Sequence, residues 1–142
     1  MRILGLDYGS KRIGVAVCDE LGITAQGIAT ITRKNRTQVL NEIAVFIRKY
    51  NVEKIVIGYP LRLDGTEGIQ CEKIRKFAKL LEITFSIPVI KQDETLTTKE
   101  AEEILIQANV RREKRKAVVD KIAAILILQG YLDSRNEREK SS

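Results

Sequence analysis

Ile3-Leu-Gly5-Leu-Asp7-Tyr-Gly9-Ser-Lys11-Arg12-Ile-Gly14-Val-Ala-Val-Cys18 is the stretch on which the reading of this chain turns. Two short apolar runs, Ile3 to Leu6 and Ile13 to Val17, flank a turn made of Gly9, Ser10 and Lys11. Such runs joined by a Gly-containing turn predict a β-hairpin. Asp7 stands where the first run ends, and packing explains an acid there poorly. An isolated Asp-x-Gly is ordinary turn chemistry. Asp7 therefore either ends a strand or begins a site.

Beyond the hairpin, Thr24 to Thr32 reads as a third strand. A helix capped by Asn35 or Thr37 runs to about Tyr50, with Val39, Leu40, Ile43, Phe46 and Ile47 at helical spacing. Lys54 to Gly58 is a short continuous apolar run, as expected of a strand covered on both faces. A Pro- and Gly-punctuated loop, Tyr59 to Gly68, precedes a second helix whose buried stripe is Ile69, Ile74, Phe77, Leu80 and Leu81. Pro88 to Gln92 is a further strand. Thr97-Thr-Lys-Glu100 matches a capping box and opens a third helix to about Ala108. A basic connection, Arg111 to Lys116, leads into a last helix ending near Leu132. One domain over 1–133 is expected, with a polar, frayed tail at 134–142. The order implies an α/β fold: a five-stranded mixed sheet, three strands as an antiparallel meander plus two parallel strands, with helices on both faces.

Composition narrows the chemistry. No apolar run approaches the roughly 18 residues of a membrane span, and no signal peptide is evident, so a cytoplasmic protein without a membrane partner is expected. Cys18 and Cys71 lack C-x-x-C spacing and read as a reduced, buried pair. There is no histidine, which removes Ser-His and Cys-His nucleophiles and His-ligated zinc. Chemistry must rest on carboxylates, lysines, hydroxyls or a metal held by oxygen. Lys and Arg number 25 against 19 acids, a net charge of +6 that favours polyanionic partners, chiefly nucleic acid.

Three acids stand out by position. Asp7 closes the first strand and Glu94 follows the last. Asp120 lies in the apolar stretch Val118 to Ile127, where an unpartnered carboxylate is costly. Each has a plain alternative: a turn for Asp7, charge at a helix N-terminus for Glu94, a salt bridge with Lys116 for Asp120. Taken together they point elsewhere. The first and last strands lie parallel with a central strand between them, so Asp7 and Glu94 open on one edge, where α/β sheets bind ligands. Ala123 and Ala124 let the last helix approach the sheet and bring Asp120 within reach. Converging carboxylates with no His or Cys suit Mg²⁺ or Mn²⁺, and two such ions are the device for in-line attack of water on a phosphodiester.

Four blocks in order carry a resemblance: Gly5-Leu-Asp7-Tyr-Gly9-Ser-Lys11-Arg12-Ile-Gly14-Val-Ala16; Ile57-Gly58-Tyr-Pro60-Leu with Asp64-Gly65-Thr-Glu-Gly68; Asp93-Glu94-Thr-Leu-Thr97-Thr98; and Val119-Asp120-Lys-Ile-Ala123-Ala124 with Leu128-Gln129-Gly-Tyr131-Leu132. From Met1 to about Asp133 the chain resembles the YqgF family, small bacterial proteins with a ribonuclease H-like fold. They are described as Holliday-junction resolvases and as nucleases maturing the 5′ end of precursor 16S ribosomal RNA. The resemblance places the family's acidic triad on Asp7, Glu94 and Asp120, the residues singled out above. It also implies two Mg²⁺ or Mn²⁺ ions and precursor rRNA, rather than DNA, as the favoured partner. The family's usual Arg after Asp-Glu is Thr95 here. Arg62, where Asn is common, is the candidate to reach the same phosphate, and Cys18 replaces a common Ser.

Lys11, Arg12 and the basic run Arg111, Arg112, Lys114, Arg115 and Lys116 are the expected phosphate contacts; the plain alternative for the run is a solvated connection. Two competing functions have sequence support. Asp7-x-Gly9-Ser10 after a strand also resembles the phosphate hairpin of sugar-kinase-type ATPases, although those duplicate the domain and no repeat is present here. A silent nucleic-acid binder fits the charge but has no need of three mutually repelling acids. RNA against DNA, endo- against exonuclease action, and oligomeric state stay open.

Overall fold

The computed structural model describes residues 2–60, 68–93, 103–104, 106–107 and 112–141, with side chains of the last stretch described from 118 to 136. Strands β1 (Arg2–Tyr8), β2 (Arg12–Cys18) and β3 (Ala25–Thr32) form the meander, followed by α1 (Arg36–Lys49), β4 (Val52–Tyr59), α2 (Ile69–Phe85), β5 (Val89–Asp93) and a long α3 (Arg112–Ser141). The sheet order is β3-β2-β1-β4-β5. β1 pairs antiparallel with β2 and β2 with β3, while β1, β4 and β5 run parallel. The C-terminal ends of β1, β4 and β5 thus lie on one edge, as expected from the order of elements.

Alternation along each strand sorts the core into two layers. Leu4, Leu6, Ile13, Val15, Ile55 and Ile57 pack with Val39 and Ile43 of α1 and Ile74 and Leu81 of α2. On the opposite face Ile3, Ala16, Cys18 and Val56 pack with Ala124, Ile127, Leu128 and Leu132 of α3. β4 is buried from both sides, with Ile55, Val56 and Ile57 fully inaccessible.

The α1 cap is Asn35: its Oδ1 accepts from Gln38 N at 2.8 Å, and Gln38 Oε1 accepts from Lys34 N at 2.9 Å and Asn35 N at 3.4 Å. This is the reciprocal capping box. Two boundaries differ from the sequence expectation. The basic run is no connection, because α3 already begins at Arg112, and the helix continues past Leu132 to Ser141. Lys, Arg and Glu are good helix formers, and neither end of the stretch contains Pro. The expected third helix lies mostly outside the described residues, although 103–104 and 106–107 within it are helical.

α3 can lie on the sheet only because the strands beneath it lack side chains where it crosses. A Cβ on Gly14 would sit 1.8 Å from the Asp120 carbonyl oxygen, and one on Gly5 2.7 Å from Leu128 Cβ. The first obstacle is backbone and cannot swing aside. Further along, Gln129 holds the start of β3: its Oε1 accepts from Ala25 N at 2.9 Å and its Nε2 donates to the Ile23 carbonyl at 2.8 Å.

Asp19 closes the β2–β3 turn, Oδ1 accepting from Ile23 N at 2.7 Å and Thr24 N at 3.2 Å. The Ile23 amide is the largest of several influences that together hold its carboxyl below the ordinary value of 3.8.

Gly14→Ala should cost about 1–3 kcal/mol or more by forcing α3 off the sheet. Gly130→Ala, whose Cβ would meet, among the described residues, Gln92 Nε2 at 3.5 Å, should be neutral or stabilising by up to about 1 kcal/mol. Urea denaturation of both variants checks the contrast; equal midpoints would remove the close approach as a constraint. A carboxyl lowered on folding contributes stability that is present above its unfolded pKa and lost as pH falls through the lower folded value. The urea midpoint of the native chain should therefore fall more steeply below pH 3.8 than that of Asp19→Asn, and parallel curves would count against the turn.

Candidate active site

Asp7 occupies the last inward position of β1 on the α3 face, two residues beyond Gly5. It is 8% exposed, the buried charged residue of the described core. Across the antiparallel ladder its partner is Gly14, so their Cα atoms lie about 4.5–5.5 Å apart. The α3 backbone at Asp120 rests on that same glycine. The backbones of two acids far apart in the chain thereby meet at one residue without a side chain.

The partner that the structure shows for Asp120 lies far away in the chain, while the Lys116 side chain falls outside the described residues. Asp120 Oδ2 accepts from Arg12 Nε at 2.7 Å, and the two side chains are 14% and 35% exposed. Arg12, expected to bind phosphate, thus spends one donor tying the β1–β2 hairpin to α3. Lys11 at the turn is exposed. The turn itself is closed by the Gly9 amide donating to Arg12 O at 2.9 Å and braced from outside by Arg33. That side chain donates from Nη1 to Gly9 O at 2.6 Å and from Nη2 to the Tyr8 hydroxyl at 2.9 Å. Arg33 escaped the sequence reading because nothing local to it signals a role; only the β2–β3 pairing carries it to the hairpin tip.

Glu94, Arg62, Thr95 and Arg111 lie outside the described residues. β5, which leads to Glu94, ends at Asp93 beside Tyr59 on the edge that also carries Asp7. Arg112, Lys114, Arg115 and Lys116 fall on the opening turns of α3, N-terminal to Asp120, with their side chains outside the description. Among the described residues no three His, Cys, Asp or Glu side chains converge on a metal position. The two described acids carried to this edge, Asp7 and Asp120, offer carboxylate oxygens in a chain without histidine, a donor chemistry that fits a hard divalent cation. Among the described residues no helix is long and apolar enough to cross a membrane.

A family model described as RuvX, Holliday junction resolvase, matches residues 1–134. A protein of Syntrophus aciditrophicus, provisionally named a pre-16S rRNA nuclease, is 63% identical over 139 residues, spanning 98% of this chain and 93% of its own length. Among solved structures, the fowlpox virus resolvase bound to Holliday junction DNA superposes with a TM-score of 0.59 at 18% identity, covering 94% of this chain and 98% of that one. Thermus thermophilus RuvC with a Holliday junction substrate gives 0.57 at 14% identity, covering 95% and 96%. At these identities the structural similarity concerns the fold, which is ribonuclease H-like.

A double-mutant cycle on Arg12→Ala and Asp120→Ala should give a coupling of about 1 kcal/mol in urea unfolding, since the pair is charge-assisted but partly solvated. Zero coupling would mean that the bridge does not tie the hairpin to the helix.

Proposed function

The chain belongs to the RuvX Holliday junction resolvase family, and on that premise we propose that it is a metal-dependent nuclease that matures the 5′ end of precursor 16S rRNA. The observation that carries the chemistry is the gathering of Asp7 and Asp120 at Gly14. Support for the substrate comes from the Syntrophus relative, whose name specifies pre-16S rRNA. The family description supports a second reading, cleavage of branched DNA.

Asp7, Glu94 and Asp120 would hold the metal. Bound there, two Mg²⁺ or Mn²⁺ ions would supply an activated water and charge stabilisation for the leaving oxygen. Asp7 is largely withdrawn from water, and weaker screening strengthens its attraction for a cation. Arg12 donates to Asp120 Oδ2 and would restrain this carboxylate where the cation is to be held. Lys11, Arg62, Arg111 and the basic first turns of α3 would lie along the phosphates leading to this edge, contacts that position a strand without reading its sequence.

Asp7→Asn should lower Mg²⁺- or Mn²⁺-dependent cleavage of precursor rRNA by a factor on the order of 10² or more with an unaltered circular dichroism spectrum, and chelation should abolish cleavage by the native protein. Full activity in Asp7→Asn would remove Asp7 from the mechanism. Matched RNA, duplex DNA and four-way junction substrates decide between the readings: faster cleavage of the junction would favour the second. Charge reversal at Arg111 and Arg112 should weaken binding and flatten its salt dependence; an unchanged slope would leave those residues solvated.

A further inference from the structure

A concavity opens at the same strand tip, on the side of the sheet opposite Asp7. Successive strand residues point to opposite faces, so Asp7 turns towards α3 while Tyr8 turns towards α1 and α2. There it forms one wall of a cavity of about 450 Å³. The lining includes Arg33, Lys34, Arg36, Lys73 and Lys76 and, among the described residues, no acidic side chain, in a chain that carries 19 acids against 25 bases in all.

The division of labour among these cations indicates what the cavity accepts. Arg33 is committed to the hairpin tip, and its guanidinium lies 4.5 Å over the Tyr8 ring. The other side of that ring stacks on Phe77 at 4.3 Å. Tyr8 therefore has no open face for a base, and the cavity offers charge rather than stacking. Lys76 has a weak, exposed partner in Glu72 at 3.4 Å. Lys34, Arg36 and Lys73 have no carboxylate partner among the described residues. The α1 N-terminus opens here too, with no acid in its first turn, and its dipole adds positive potential. Like charges gathered in one recess are relieved by an anion, and a recess of this volume admits a phosphate with its sugar but not a duplex.

We propose that this cleft holds backbone phosphates of a single-stranded part of the substrate that passes over the tip of β1, on the face opposite the acids. The inference rests on the nuclease reading and adds to it a second, cationic half of the strand path. A strand crossing the edge would meet the carboxylates on one side and Arg36, Lys73 and Lys76 on the other, with Arg33 keeping the tip rigid between them.

The test measures binding of a labelled single-stranded RNA to the full chain by fluorescence anisotropy across a salt series, with chelator present so that nothing is cut. Relative to the native protein, Lys73→Ala/Lys76→Ala should flatten the slope of log affinity against log salt by about 1.4, two contacts at about 0.7 each. Arg36→Ala, on the opposite wall, should flatten it by about 0.7. Lys79→Ala, an exposed charge on α2 that does not line the cavity, should leave the slope as it is. Unchanged slopes in both cleft variants, or no binding by the native protein, would overturn the proposal. So would a mononucleotide binding as tightly as the strand, which would make the cleft a nucleotide pocket, or polyglutamate competing as well as RNA, which would make it a site for acidic protein. A native protein that binds but does not cut when Mg²⁺ or Mn²⁺ is restored fails the nuclease reading alone and leaves the cleft to be judged by the slopes.

Discussion

The contact between the α3 backbone and Gly14 is the constraint on which the rest of the molecule depends. A helix normally packs on a sheet through a layer of side chains. Here a carbonyl of the helix occupies the space a Cβ would need. The close approach lets a carboxylate on α3 reach the sheet edge instead of standing above it, and it aligns Ala124, Ile127 and Leu128 with the small residues of β1 and β2. The Arg12–Asp120 bridge then locks the helix in register from the hairpin side.

The same strand tip serves both faces of the sheet. β1 delivers an acid to one side at Asp7 and an aromatic ring to the other at Tyr8, and the tight turn after them is held by Arg33. On the proposed reading the acids at this tip would gather cations and the recess on the other face would gather phosphates. Placing them on opposite faces of one β-strand separates them by the thickness of the sheet while keeping them at one edge.

Much of the fold was legible in the residues because each signal was local. The two apolar runs around Gly9 specified the hairpin, the continuous run at Lys54 to Gly58 specified a strand buried on both sides, and Asn35 with Gln38 specified a helix start. Errors came where polar composition was read as irregular structure. Arg112 to Lys116 and the tail beyond Leu132 are rich in Lys, Arg and Glu, which favour helix as readily as solvent, and nothing there breaks one. Asp120 illustrates a different limit: helical spacing points to residues one turn away, and no local signal points to Arg12, 108 residues distant, which the structure pairs with it.

By itself the sequence determined the order and type of the strands, the hydrophobic face of each element, the absence of histidine chemistry and the candidate acids at strand ends, all properties of short windows of chain. Tertiary structure alone decided which charges meet. It paired Arg12 with Asp120, brought Arg33 under the hairpin tip and turned five scattered bases into one recess. The physical reason is that an ion pair or a cavity is specified by which elements cross and how closely, and that depends on side chains missing from Gly5 and Gly14 as much as on those present.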